Sequence, residues 1–163
     1  MALLRIGVVE FDRRQRKRFQ SGELPRQWSQ RYPDLFDADD LRLALRQPDY
    51  HFFEWLGAVV LFNTTGYRTL VEKYEFEKHS RKASIIQGIV APDVLALVHK
   101  RGVQCPDLFV YMPDGSDWFL CEVKGKRDRL RARQKQYFER LCSCSGRPVR
   151  LLEFTERKEA RTI

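Results

Sequence analysis

In the segment 106–124, PDLFVYMPDGSDWFLCEVK, three residues have the types and spacing to do chemistry: the carboxylates of Asp107 and Glu122 and the ammonium of Lys124. Two strand-like runs flank Asp114-Gly115, a pair suited to a two-residue type I′ turn, whose central residues both take positive φ. A hairpin centred there sets Asp107 opposite Glu122. Side-chain alternation then puts Glu122 and Lys124 on one face, with Cys121 and Val123 on the other. Like charges placed opposite one another destabilise a sheet. A divalent cation shared by both carboxylates removes that repulsion, and Mg²⁺ favours such oxygen ligands completed by water and phosphate. The ion polarises a phosphoryl oxygen and acidifies a bound water. Lys124 can position that water or stabilise the charge developing on phosphate. These groups together suit metal-assisted phosphodiester hydrolysis. A bare D…ExK pattern is short, and most Glu-x-Lys pairs decorate exposed strand faces; the weight here comes from the hairpin and from the basic helix behind it.

After Lys124, Gly125 gives a turn and Asp128 is a good helix N-cap. A helix over 129–141 presents Leu130, Gln134, Tyr137 and Leu141 on one face. Gln134 is an amide in an apolar row, either an edge residue or a side chain reaching into the metal site. Arg129, Arg131, Arg133 and Lys135 lie on the other face. With Lys126 and Arg127 they suit a phosphate backbone, helped by the positive end of the helix dipole. The whole chain leans the same way: 30 Lys and Arg against 22 Asp and Glu give +8, a surplus that favours polyanionic partners.

The elements that must position these groups begin near Phe52. FFEWLGAVVLFNTTG has apolar residues at helical spacing and Gly66 as its stop. YRTLVEKYEF (67–76) reads as a strand through Tyr67, Thr69, Val71 and Tyr74. Ser80 to Gly88 and Pro92 to Lys100 read as helices, with Pro92 at a first helical position. The hairpin, the 129–141 helix and a last strand at PVRLLEF (148–154) complete a single α/β or α+β domain with a mixed sheet. Residues 1–49 look like an appended arm or helical cap. They hold a short strand at Leu3 to Val9, the basic cluster 13–18, a Pro- and Gln-containing stretch through Pro25 and Pro33, and a short helix after Asp39-Asp40. The bland reading of the basic cluster is a solvated helix face.

The stretch PDLFVYMPDGSDWFLCEVKGKRDRLRARQKQYFERL resembles the core of the VRR-NUC domain, a branch of the PD-(D/E)XK nuclease superfamily. The matching features are Pro106-Asp107-Leu108, Glu122-Val123-Lys124-Gly125, Asp128 with Leu130, and Gln134 before the aromatic Tyr137. The close match covers the hairpin and the helix after it, and a looser one runs to the last strand. The resemblance implies a restriction-endonuclease-like core over 50–163, with a central mixed sheet flanked by helices. It implies a Mg²⁺- or Mn²⁺-dependent DNA endonuclease acting on flaps, branches or four-way junctions in repair or recombination. Asp107 and Glu122 would bind metal together with Val123, Lys124 would act on the water or phosphate, and Gln134 would orient the site. It also implies a glutamate on the first core helix. Glu54 fits best, although an acid at a helix start is also simply favoured by the dipole; Glu72 and Glu75 are weaker candidates. Stand-alone members that resolve junctions are expected to be homodimers. The sequence departs from the family pattern in two ways: extra helices before Pro106, and Tyr137 where tryptophan is common. Ala91-Pro92-Asp93 is a second Pro-Asp, but the helical run behind it aims Asp93 away from the hairpin.

Two rival readings are a non-catalytic nucleic-acid-binding module with the same fold, and a restriction-like or RNA-directed nuclease. Paired acids argue against a pure binder of phosphates, and no RNA-binding signature is present. No apolar run reaches the length of about 18 residues that a membrane span needs. The initial stretch carries its charges after the apolar residues, the reverse of a secretory signal. The expected location is therefore intracellular, cytoplasmic or nucleoid, with Cys105, Cys121, Cys142 and Cys144 reduced. Cys142-Ser-Cys144 has no second pair at zinc spacing, and the histidines at 51, 79 and 99 are scattered.

Overall fold

The hairpin strands β3 (Leu108–Tyr111) and β4 (Trp118–Gly125) are buried on both faces, which is why they read as nearly continuous apolar runs. Leu108, Val110, Phe119, Cys121 and Val123 face one core, and Phe109, Tyr111, Trp118 and Leu120 face another. The computed structural model describes residues 3–72, 74–76 and 78–158. Within them, β1 (Leu3–Phe11), β2 (Arg68–Val71) and β5 (Val149–Glu156) complete a five-stranded sheet in the order β1-β5-β4-β3-β2. β1 and β4 run parallel to β5, while β2-β3 and β3-β4 are antiparallel, so the sheet is mixed.

Among the described residues seven helices flank it: α1 (Arg13–Gln20), α2 (Glu23–Arg31), α3 (Ala38–Arg46), α4 (Phe52–Thr65), α5 (Ser80–Gln87), α6 (Pro92–Val98) and α7 (Ala132–Ser145). The protein is α+β, as the sequence suggests. Helix α4 is apolar around most of its circumference because it is wedged between the sheet and the N-terminal helices. It sits tightly on the sheet: a Cβ at Gly57 would lie 3.4 Å from both Leu108 and Phe154. Helices α6 and α7 cover the opposite face through Val94, Val98, Tyr137, Phe138 and Leu141.

Several expectations are revised. The hairpin turn is not type I′. Met112 N–H bonds to Asp117 O and Gly115 N–H to Met112 O, both at 2.9 Å, and of the two turn residues only Gly115 has positive φ. Pro113 has no N–H with which to close the tighter turn, so the loop opens to four residues. Because both loops share one centre, the strand register is the expected one, with Leu108 opposite Cys121. Pro25 lies inside α2 rather than in a coil, because the first turn of a helix needs no N–H from it. Strand β2 ends at Val71 rather than running to Phe76, because Glu72 turns to φ 55°. Lys73 of that predicted strand lies outside the described residues. Asp128 is not a helix cap. Its Oδ2 accepts Gly125 N–H at 2.9 Å, closing a turn, and α7 starts only at Ala132. Residues 3–49 are not packed apart from the rest: β1 is an edge strand of the sheet, and Phe19, Leu24, Trp28, Leu35 and Phe36 share a core with Trp55.

Candidate active site

Asp107 stands just before β3 and Glu122 near the end of β4, and each holds backbone belonging to the other's strand. Asp107 N–H donates to Glu122 Oε2 at 3.2 Å, and Val123 N–H donates to Asp107 Oδ2 at 2.9 Å. Lys124, two residues along the same strand face, puts Nζ 3.0 Å from Glu122 Oε1. The hairpin thus brings Asp107, Glu122 and Lys124 together, and Glu122 is only 1% exposed. Val123, expected as a metal contact, contributes its amide to Asp107 while its side chain packs toward α4.

Glu54 enters from the first turn of α4, where the helix dipole favours an acid. Burial pushes its carboxyl up to about 7, with the charge of Glu72 next in weight and that of Glu122 also contributing. Burial likewise holds the Asp107 carboxyl well above its ordinary value, with Glu122 and then Glu54 adding to the effect. Desolvation and like charge act together here, a combination concentrated at functional sites. Among the described residues, the ammonium of Lys124 pairs with Glu122, and Glu72 faces the His51 ring. This gathering of buried carboxyls, which ionise together only beside a positive charge, fits a divalent cation with oxygen ligands.

The structure gives Glu72 more weight than the sequence did and adds a residue that sequence reasoning passed over. His51, Glu54 and Glu72 each place a potential ligand atom within 4.8 Å of the others. His51 and Glu54 stand one helical turn apart, a spacing visible in the sequence. Glu72 joins them only through the tertiary fold. His51 (φ 75°) and Glu72 (φ 55°) are the non-glycine residues with positive φ among those described, a sparsely populated conformation that clusters at functional sites. A cleft of about 290 Å³ is lined by His51, Glu72, Glu75, Gln104 and Asp107. Glu75, the other weak candidate, faces this cleft, and burial raises its carboxyl as well.

Gln134 is buried, but its Oε1 accepts Arg131 N–H at 3.0 Å and so caps α7. Lys126, Arg127, Arg129, Arg131 and Arg133 are all exposed along the turn after β4 and the start of α7. Arg131 and Arg133 join Arg140 and Gln104 around a second cleft of about 340 Å³. Gln104 borders both clefts, so the basic surface adjoins the acidic one. The competing Pro92-Asp93 opens α6, as its helical run implied.

The sequence model of the VRR-NUC domain matches residues 61–153, which include Glu72, Asp107, Glu122, Lys124 and Gln134 but not Glu54 or His51. No curated protein matches the chain. Among solved structures, paFAN1 bound to 2nt 5′flap DNA with gap aligns at 18% identity with a TM-score of 0.34, covering 89% of this chain. The chain spans 22% of that one.

Proposed function

The chain belongs to the VRR-NUC domain family, and on that premise we propose that it is a divalent-metal-dependent DNA endonuclease that cuts flaps or branched junctions. The observation that carries this reading is the mutual hold of Asp107 and Glu122, with Lys124 3.0 Å from Glu122, at a cleft that Asp107 lines together with Glu72 and Glu75. Asp107, Glu122 and Glu54 would hold Mg²⁺ or Mn²⁺. When bound, the cation neutralises phosphate charge and acidifies water. Lys124 lies beside the carboxylate pair, where its ammonium stabilises negative charge developing on the phosphate. The exposed Lys126, Arg127, Arg129, Arg131 and Arg133 draw the nucleic-acid backbone toward the cleft through non-specific phosphate contacts. Gln134 orders the start of α7 and so positions Arg131 and Arg133. The basic helix α1 carries Arg16 over the ring of Phe53, the residue before Glu54, at 5.2 Å.

The test is cleavage of labelled duplex, single strand, flap, four-way junction and RNA with Mg²⁺, Mn²⁺ or EDTA. Metal-dependent cutting, strongest on branched DNA and lost in Glu122→Gln and Lys124→Ala, is expected. Binding without any cutting, equal in wild type and both variants, would replace this reading with a non-catalytic binding module.

A further inference from the structure

We propose that His51, Glu54 and Glu72 form a nitrogen-containing cation subsite beside the Asp107–Glu122 pair, one that takes Mn²⁺ in preference to Mg²⁺. It deepens the nuclease reading and rests on it for its place in the reaction. Its ligand chemistry stands on separate observations. Ligands about 2.1 Å from one ion lie at most about 4.2 Å apart across it. The potential donor atoms of His51, Glu54 and Glu72 already fall within 4.8 Å of one another, so small side-chain rotations close the sphere.

The orientation of His51 points the same way. Its Nε2 lies 2.6 Å from Gln47 Oε1. An amide oxygen only accepts, so Nε2 carries a proton, and in the neutral ring Nδ1 is the nitrogen that offers a lone pair. Nδ1 faces Glu72 Oε1, which is shut off from solvent and has the ring as its polar neighbour among the described residues. The two atoms stay together only with a positive charge between them, either a proton on Nδ1 or, after a small rotation, a metal ion. A ring N–H donated to an oxygen on the far side is the usual bracing of a metal-binding histidine. The carboxylate side is braced too: Lys82 Nζ holds the Glu72 carbonyl at 2.7 Å and so locates the residue.

Location and donor type give the subsite a task. His51 and Glu72 line the same cleft as Asp107, so a cation here faces the space where a phosphate meets the carboxylate pair. Mg²⁺ takes oxygen ligands and dehydrates reluctantly, whereas an imidazole ligand raises affinity for first-row transition ions. His51 therefore sets metal preference, and Glu72 joins the acids at the site.

The experiment uses the full chain stripped of metal and titrated with Mn²⁺ or Mg²⁺, with pulsed electron paramagnetic resonance on the bound Mn²⁺. Wild type is expected to show the ¹⁴N coupling of a directly bound imidazole and to bind Mn²⁺ at least tenfold more tightly than Mg²⁺. His51→Gly, which suits the positive φ, should abolish the coupling and weaken Mn²⁺ binding about 10- to 100-fold, and added imidazole should restore the coupling. Glu72→Gln should weaken Mn²⁺ binding while the protein keeps its circular dichroism spectrum. Absence of ¹⁴N coupling in wild type, or unchanged Mn²⁺ affinity in His51→Gly, would overturn the subsite and leave the nuclease reading standing. Coupling present in a protein that never cuts DNA would instead overturn the nuclease reading alone.

Discussion

Two buried charge clusters meet at Glu72 and are built on opposite terms. On one side, Lys82 Nζ donates to Asp40 Oδ1 and Val71 O, both at 2.5 Å, and to Glu72 O at 2.7 Å. All three ammonium protons are used. Asp40 spends its other oxygen on Asp37 N–H at 3.0 Å, completing the capping box of α3. On the other side, of Glu54, Glu72, Asp107 and Glu122 only Glu122 is ion-paired to an ammonium among the described residues, and Glu72 Oε1 faces the His51 ring. Burial is similar, but satisfaction is not. The first cluster ties α3, α5 and the end of β2 together. The second stores electrostatic repulsion that a ligand can relieve, and this contrast separates framework from site.

The contrast breaks most visibly at Lys82. Lys82→Ala leaves Asp40 buried and unpaired, so a loss of about 3–5 kcal/mol is expected in urea unfolding. A loss below about 1 kcal/mol would show that the pair is not structural. Glu122→Gln should do the reverse. Cleavage is expected to fall about 100-fold or more, while the urea midpoint in EDTA holds or rises. A variant that unfolds more readily than wild type would place Glu122 with the framework.

The pH dependence of the metal-free protein sharpens the comparison. A carboxyl raised on folding gives stability that is fully present below its unfolded value and is lost as pH climbs through its folded value. For Glu54 that window runs from 4.5 to about 7. Melts in EDTA should therefore fall between these limits, and Mn²⁺ should flatten the curve. Asp40 is raised from 3.8 to about 6, chiefly by burial and against the pull of Lys82, so it acts in the same direction over a lower window. Its share should not respond to metal; a curve identical with and without Mn²⁺ would remove the distinction. Relieving repulsion directly, Glu54→Gln should stabilise the metal-free protein at pH 8 by on the order of 1–2 kcal/mol. The smallest effect is expected at the border of the cleft. Arg133→Ala should lower DNA affinity with little sequence dependence and reduce the salt slope by about 1, read from binding at several salt concentrations.

Much of the framework was legible in local pattern. Apolar spacing and the stop at Gly66 mark α4, and β3 and β4 stand out because both of their faces are buried. Their register was legible as well, since either turn around Asp114-Gly115 keeps the same centre, even though Pro113 selects the longer loop. Chain ends and caps were less legible. Asp128 looks like an N-cap from its neighbours, but Gly125 N–H claims its carboxylate. The first fifty residues read as an arm because the basic run 13–18 hides the apolar faces of the short helices. Phe19 and Trp28 are buried on one side of segments that are otherwise polar.

The sequence by itself determined the triad, because residues paired across one hairpin are close in the chain and strand alternation dictates which face they share. It also determined the candidate role of Glu54, through its position at the start of an apolar helix. Only the tertiary structure decided that Glu72 belongs beside them and that Lys82 belongs with Asp40. Those groups lie on separate elements, and no local spacing rule relates them. The turn of Glu72 to positive φ ends β2 and directs its carboxylate to His51, while Lys82 holds its carbonyl from the other side. Where a charge ends up paired or unpaired depends on which elements pack around it, and that is settled only when the sheet and its helices come together.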